Sequence, residues 1–452
     1  MRFLQSAAVC VLAGQGASAA VTADLSNPAG IKAAAKQVAK DLMSYYTGNN
    51  PGDVAGNLPA PYYWWEAGAM FGTMVNYWYY TGDTTYNEIT TAAILHQTGL
   101  EWDFMPTNQT KTLGNDDQGF WGLTAMTAAE VNFPELKKPA PGWLALAQGV
   151  FNTQAERWDL QNCGGGLRWQ IFPFNNGYSY KNTISNGCFF NIGARLALYT
   201  GNTTYASWAE KTWDWVQNEG LIDEKWNVFD GTNIGDNCTA KDHNQWTYNA
   251  GIYLLGAATM YNQTNGTAQA KWEERVNGLL NQTVNTFFVD GVMKELCEGG
   301  QCNVDQRSFK AYLSRWLAAT TRLAPFTAAT ITPLIAKSSA AALKTCTAGG
   351  GNTQCGLKWT TGSNDGSFGV GEQMAVLEIT QSNLVAQTPD WVSAVKGTGN
   401  STGNVDAGSN SATADSIINK PITTKDRVGA AFFTALVLIG VVGGSATMMI
   451  SE

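Results

Sequence analysis

Twelve segments with apolar residues three or four apart run through this chain, and the connections between them alternate in length. The spacing predicts helices over 28–47, 61–80, 83–98, 118–132, 141–158, 186–200, 203–219, 246–262, 267–287, 305–322, 326–344 and 369–385. Connections after even-numbered helices are short, as at Gly82, Gly201-Asn202 and Gln263 to Gly266. Those after odd-numbered helices are long: 48–60, 99–117, 159–185, 220–245, 288–304 and 345–368. If successive helices run up and down, all six long loops emerge at one end. Loops of that length in a compact domain are usually functional. Six helical hairpins closing on themselves would make an all-α toroid, an (α/α)6 barrel. An open helical solenoid is the alternative, but it seldom gathers every long loop at one mouth.

Local signals support the helix count. Pro28 follows Asn27, a good cap, and "YYTGDTTY" (Tyr79 to Tyr86) and "LYTGNTTY" (Leu198 to Tyr205) look like one turn used twice. In each, Gly ends one helix and Asp or Asn opens the next. This is an internal repeat of helical hairpins.

The two ends read differently from the middle. Residues 1–19 carry one basic residue, Arg2, then an apolar stretch closing on Ala17-Ser18-Ala19, the pattern of a secretory signal peptide. Val428 to Ile450 is a run of 23 uncharged residues, and only Ser451 and Glu452 follow. A polar spacer precedes it, and before that lies the Gly/Ser/Thr/Asn-rich stretch Gly397 to Ser416. Small residues, spacer and apolar tail form the pattern of a GPI anchor; an ordinary transmembrane helix would want basic residues on its far side. The expected organisation is a signal peptide (1–19), a helical domain (20–395), a linker with the attachment region (396–416, attachment between Ser409 and Asp415) and a propeptide (417–452). A secreted, membrane-tethered location follows.

Cysteines and sequons agree with that location. Cys10 leaves with the leader. Of the remaining seven, Cys297/Cys302 and Cys346/Cys355 are close enough for local bridges, Cys163/Cys188 is the next pair, and Cys238 is left over. All seven lie in or beside long loops, so the bridges are expected to brace loops. Their spacing matches no zinc site and only two His occur, so neither metal nor cofactor is expected. Seven N-x-[ST] sequons start at Asn108, Asn202, Asn237, Asn262, Asn265, Asn281 and Asn400. A net charge of −8 without a basic patch argues against nucleic acid as a partner.

The chemistry points to "GNDDQGFWG" (Gly114 to Gly122), at the end of the second long loop and entering the fourth helix. Two adjacent carboxylates, Asp116 and Asp117, repel one another and face the mouth. Breaking a glycosidic bond needs an acid for the leaving oxygen and a second carboxylate that attacks the sugar or activates water. Neighbouring carboxyls tune apart, one ionised and one protonated. The plain alternative is charges placed on a helix N-terminus.

Together with "NCGGGLRWQ" (Asn162 to Gln170), "YKNTISNG" (Tyr180 to Gly187) and "QWTYNAG" (Gln245 to Gly251), that stretch resembles glycoside hydrolase family 76. More narrowly, the chain is similar to the GPI-anchored fungal endo-α-1,6-mannosidases of the "defective cell wall" and "defective for filamentous growth" type. The likeness spans nearly all of residues 20 to 395 and both ends. It implies an (α/α)6 barrel and a retaining mechanism, with Asp116 as nucleophile and Asp117 as general acid/base. Gln118-Gly119 after the pair suits the fungal branch; bacterial members tend to carry other residues there. The implied partners are a mannose-bearing glycan (a GPI glycan or mannan), a wall glucan as acceptor, and the membrane through the anchor.

Sugars need flat apolar faces and fixed hydrogen-bond partners. Trp64, Trp121, Trp169, Trp246 and Tyr248 are candidates for faces, and Asn182, Ser185, Asn186, His243 and Asn249 for partners. Asp365, in "GSNDGSFGVGE", either reaches the cleft or forms a turn with Gly366. Each alone more often packs or caps; their grouping in or beside the long loops carries the assignment. A non-catalytic mannan-binding wall protein would share the aromatic cleft but would not need both carboxylates to ionise.

Overall fold

The computed structural model describes residues 21–395 and 397–408, with Thr424, Arg427 and Thr434 as isolated helical positions beyond them. The leader expected at 1–19 and nearly all of the expected propeptide lie outside the described residues. Among the described residues no helix is long and apolar enough to cross a membrane.

All twelve predicted segments are helical: α1 (Pro28–Met43), α2 (Trp64–Thr81), α3 (Asn87–His96), α4 (Asn115–Glu130), α5 (Trp143–Glu156) and α6 (Thr183–Thr200) in the first half. The second half holds α7 (Thr203–Asn218), α8 (Thr247–Gln263), α9 (Gly266–Phe287), α10 (Phe309–Leu323), α11 (Ala328–Lys344) and α12 (Val370–Gln381).

Burial sorts them into two layers. Helix α6 is buried without a break from Thr183 to Ala197, so it has no face for water. Helix α7 buries only Tyr205, Ala209, Thr212, Trp213, Trp215 and Val216, a stripe at helical spacing. A helix apolar all round belongs inside, a striped one outside. The contacts follow that rule. The even-numbered helices pack in cyclic order, α2 on α4, α6, α8, α10 and α12, and α12 packs back on α2. The odd-numbered helices pack on this ring from outside. Two concentric rings of six result, as the loop alternation predicts.

Close approach within the inner ring has a local cause. Gly68, Gly119, Gly187 and Gly251 each occupy the fifth position of an inner helix. A Cβ there would meet Trp121 at 2.7 Å, Cys188 at 2.6 Å, Ile252 at 2.6 Å and Trp316 at 2.8 Å, each on the next inner helix. Glycine lets neighbouring helices converge at the mouth end.

Three features depart from expectation. The long loops form small sheets: β1 (Tyr180–Asn182), β2 (Phe229–Asn233) and β3 (Lys241–Gln245) pair antiparallel, with Asn182 opposite Gly231 and Phe229 opposite Gln245. The disulfide expected between Cys163 and Cys188 does not form. Cys163 bridges Cys238, 75 residues away, with Cα atoms 6.0 Å apart. Cys188 is free and buried inside α6, against Gly119, and cannot reach a loop on the outer rim. The local bridges Cys297–Cys302 and Cys346–Cys355 form as read. Finally, the stretch expected to be a linker from 396 is packed on the domain through Gly408. Its backbone finds partners on the outer wall, as where the Asn152 amide donates to Val405 and Ala407 carbonyls. All seven sequon asparagines are exposed.

Candidate active site

The start of α4 is held from both sides. Gly114 bridges Gln170 in a short antiparallel contact, and the Asn115 N–H donates to the Trp169 carbonyl at 2.8 Å. The Asn115 side chain donates to the Arg168 carbonyl at 2.9 Å and accepts from Arg157 Nε at 2.9 Å; Gln154 holds its carbonyl at 2.7 Å. Asn115 is therefore a structural clamp that fixes the first helical turn, where both carboxylates stand.

Each carboxylate then has its own partners. Asp117 Oδ2 accepts the Gly114 N–H at 2.5 Å, closing the helix start on itself. Asp116 Oδ1 accepts the Asp117 N–H at 3.1 Å, and Asp116 Oδ2 accepts Asn182 Nδ2 at 3.0 Å. A Cβ on Gly114 would lie 2.4 Å from Asp116 Oδ1 and 2.7 Å from Asp117 Oδ2. The sum of those distances bounds the gap between the two oxygens, so the pair is close, and position 114 has no room for a side chain.

Burial pushes both carboxyls up, and the neighbours split them. Asp116 rises to about 7, held back by the Asn182 amide and by backbone N–H groups, and pushed up by Asp230. Asp117 is raised too, by burial first and by the charge of Asp116 facing it. Two carboxyls this close favour sharing a proton over both ionising.

Around them lies a cavity of about 610 Å³ at the mouth. Its lining joins the N-terminal ends of α2, α4, α8 and α10 to the sheet and loops. Two further carboxylates face the pair, and the sequence reading missed both. Asp230, on β2, accepts the Tyr180 hydroxyl at 2.8 Å, and burial raises its pKa. Asp305, before α10, accepts Trp65 Nε1 at 3.0 Å and is likewise raised by burial. Among the lining residues Lys111 is the one cationic side chain, and it is exposed. Aromatic faces come from Tyr63, Trp64, Trp65, Trp169, Trp246, Tyr248 and Phe309. Tyr248 stacks on Phe309 with centroids 3.8 Å apart.

Of the residues singled out beforehand, Asp116, Asp117, Trp64, Trp169, Asn182, Trp246 and Tyr248 line the cavity. Six do not. Trp121 is fully buried beneath it, stacked on Phe104. Ser185 is buried in α6, its N–H capped by Asn182. Asn186 ties the mouth loop by exchanging hydrogen bonds with the Leu167 backbone. Asn249 is buried behind Asp230, 3.5 Å from Oδ1. His243 is exposed on β3 with its ring against Phe229. Asp365 closes its own turn, accepting from the Leu357 N–H and from Ser367. For the four on helices, Trp121, Ser185, Asn186 and Asn249, the reason is helix direction: a place near a helix start gives proximity to the mouth, not the rotation that aims a side chain into it.

A helical double ring with a paired carboxylate in a deep aromatic mouth defines a glycoside hydrolase. Residues 30–395 match the profile of glycosyl hydrolase family 76, and the chain belongs to that family. It is 47% identical over 413 residues to the Saccharomyces cerevisiae mannan endo-1,6-alpha-mannosidase DFG5, covering 90% of each chain. It is 46% identical to the S. cerevisiae mannan endo-1,6-alpha-mannosidase DCW1, covering 94% of each. Among solved structures, Dfg5 from Chaetomium thermophilum, crystallised with glucosamine, superposes with a TM-score of 0.83 at 45% identity, covering 87% of this chain and 98% of that one. An α-1,6-mannanase from Salegentibacter shares the fold, with a TM-score of 0.62 at 16% identity, covering 78% of this chain and 98% of that one.

Proposed function

We propose that this chain is an endo-acting α-1,6-mannosidase of the retaining kind, which passes the glycosyl group to a sugar hydroxyl of the cell wall. The close approach of Asp116 to Asp117 carries the reading. Retaining enzymes keep their carboxyls roughly 5–5.5 Å apart, inverting ones several ångström more to admit a water. Asp117 protonates the leaving oxygen as Asp116 attacks the anomeric carbon, giving a glycosyl ester on Asp116. Asp117, now ionised, takes the proton of the arriving hydroxyl, which displaces Asp116 and restores the pair.

The substrate follows from the cavity and the relatives. Mannan is the substrate in the names of both yeast relatives. The Chaetomium relative was crystallised in complex with glucosamine, and a mouth with four carboxylates would suit a sugar that carries an ammonium. A GPI glycan, bearing mannose, is the donor in this reading, and a wall glucan the acceptor. In an aromatic cleft a bound sugar outcompetes water through orientation and local concentration. The apolar tail after residue 428 would tether the enzyme by a GPI anchor where membrane and wall meet.

Mass analysis of products from an α-1,6-mannoside donor, with and without a glucan oligomer, tests this. A product with the donor sugar joined to the oligomer is expected. Hydrolysed donor alone, at every oligomer concentration, would reduce the function to a plain mannosidase. Binding without turnover would point to a wall-binding protein instead.

A further inference from the structure

A second cavity, of about 500 Å³, opens between α1 and the last long loop. One wall is the final turns of α1, with Gln37 and Asp41, and Tyr45 just beyond them. The other is the hairpin 346–355 and Phe368, ahead of α12. The hairpin is braced: Cys346 bonds Cys355, and Ala348 pairs with Gln354 in a short antiparallel bridge. Gln354 Oε1 accepts two donors, the Tyr45 hydroxyl at 2.8 Å and Nε2 of the buried Gln373 at 2.9 Å. Its oxygen end is therefore fixed, and its NH2 end is left to donate. Asp41 is only 9% exposed, and its carboxylate takes one side-chain donor, Gln37 Nε2, at 3.1 Å from each oxygen. Lone pairs remain on both oxygens. Phe368 stands at the rim, 50% exposed. Opposite α1, Gly349 to Gly351 leave the rim without side chains, and a Cβ on Gly350 would meet nothing within 4 Å.

That lining selects a ligand class. Among the lining residues Lys40 is the one cationic side chain, and it is exposed, so a phosphate finds no cradle. A carboxylate and amides make the groove costly for an acyl chain. A flat apolar ring beside a fixed acceptor and a fixed donor suits a neutral sugar, whose carbon face can lie on Phe368 while its hydroxyls reach Asp41 and Gln354. We infer that this groove is a second carbohydrate site, which holds a neutral glycan strand outside the catalytic cavity. Its place gives it a use. Tyr45 packs edge-on against Tyr62, with ring centroids 6.3 Å apart. The Tyr62 hydroxyl accepts the N–H of Val370, two residues after Phe368, at 3.1 Å. The next residue, Tyr63, lines the catalytic cavity and is 54% exposed. A layer of tyrosine thus separates the two cavities, and a strand leaving the mouth over Tyr63 can pass to Phe368. The groove grips a polymer while the mouth works on it, which raises the local concentration of chain at the carboxylate pair. The site stands on its own lining; the mannosidase reading above supplies only the probes.

The test reads binding. In an Asp116→Asn background, chosen to stop turnover, the full-length protein is titrated with α-1,6-mannan and, separately, with a soluble wall glucan. Phe368→Ala takes away the exposed ring, and Gly350→Arg fills the groove from a position with open space around it. Each variant should weaken binding of at least one polymer severalfold, and the polymer affected tells whether the donor or the acceptor strand lies there. Turnover of a short mannoside that fits within the mouth, measured with Asp116 intact, should not change in either variant. Unchanged binding of both polymers in both variants would overturn the inference. So would an equal loss on the short mannoside, which would place the effect in the mouth. Absence of mannoside turnover in the unaltered protein would count against the function proposed above and leave the groove standing, because the groove is read by binding.

Discussion

The two ends of α4 hold carboxylates in opposite ways. At its base end, Glu130 meets a guanidinium: Arg195 Nη2 lies 2.5 Å from Oε2, and Nε donates to Oε1 at 3.1 Å. Burial pushes Glu130 up and Arg195 opposes it. At its mouth end, Asp116 and Asp117 meet each other, Asp230 and Asp305, and amide N–H groups stand in for a cation. The base is a paired charge that fixes packing between α4 and α6. The mouth is an unpaired charge that must hold a proton, and a carboxyl that holds a proton near neutrality is one that can give it up. One helix thus meets a cation at one end and like charges at the other, and what differs is the partner.

The largest effect that would break this contrast comes from the mouth. Asp116→Asn and Asp117→Asn should each lower kcat/KM by at least ~10²-fold, since an essential acid or base is lost. The fold should survive, because the change relieves repulsion rather than opening a cavity. Stability should also respond to pH in a specific direction. Asp116 titrates at about 7 in the fold against 3.8 for the free group, so between those values the folded state binds more protons. Stability therefore falls as pH rises from about 4 to 7. Asp116→Asn should flatten that slope in thermal melts. A variant at either position with near wild-type turnover would show that the pair is not the catalytic one.

Next in size is the base. Removing Arg195 leaves a fully buried carboxylate alone, which usually costs about 3–5 kcal/mol. Arg195→Met should lower the denaturation midpoint sharply, while kcat/KM per folded molecule stays near wild type. A large loss of kcat/KM at unchanged stability would erase the distinction between the two ends.

How much of this was legible beforehand follows from the range of the interactions. Helix periodicity is local, so all twelve helices and the two local disulfides could be read. The ring followed from loop lengths, and the carboxylate pair from its place at a helix start. Asp230 could not be found that way. It reaches the cavity because β2 pairs with β1, some fifty residues earlier, and "FDGTN" alone reads as a turn. Asp305 sits beside the pair because the loop entering α10 comes to the mouth, where Trp65 of α2 holds it. The Cys163–Cys238 bridge spans the same fold-dependent distance, and a rule of nearest neighbours in sequence chose Cys188 instead. Gly68, Gly119, Gly187 and Gly251 did leave a signal, one glycine at the same place in four helices, but nothing local says what each must admit.

A smaller effect sharpens how the mouth tunes itself. Asn182 lowers the Asp116 pKa by donating to its carboxylate, and Asp230 raises it by its charge. Their removal should move the acid limb of kcat/KM in opposite directions. Asn182→Ala should shift it to higher pH by about 1 unit, the scale of a hydrogen bond to a charged group. Asp230→Asn should shift it lower. Both variants moving the limb the same way would show that the limb belongs to another group.

The smallest expected effect tests the line between the mouth and its surroundings. His243 and Asp365 sit on long loops at the catalytic end, and sequence alone made both candidates for the cleft. In the fold His243 points outward from β3, its ring centroid 4.3 Å from that of Phe229, and Asp365 spends its carboxylate on Ser367 and the Leu357 N–H. Neither lines the cavity. His243→Ala removes one edge contact at the surface, and Asp365→Asn keeps an acceptor for the turn. Each should leave kcat/KM within about twofold and the melting midpoint nearly unmoved, as surface changes away from special features do. Measured beside Asn182→Ala on the same mannoside, they bracket the site: Asn182 touches Asp116, and these two do not. A tenfold loss from His243→Ala with stability intact would mean that substrate runs past the cavity and over the sheet, and that the recognition surface extends onto β3.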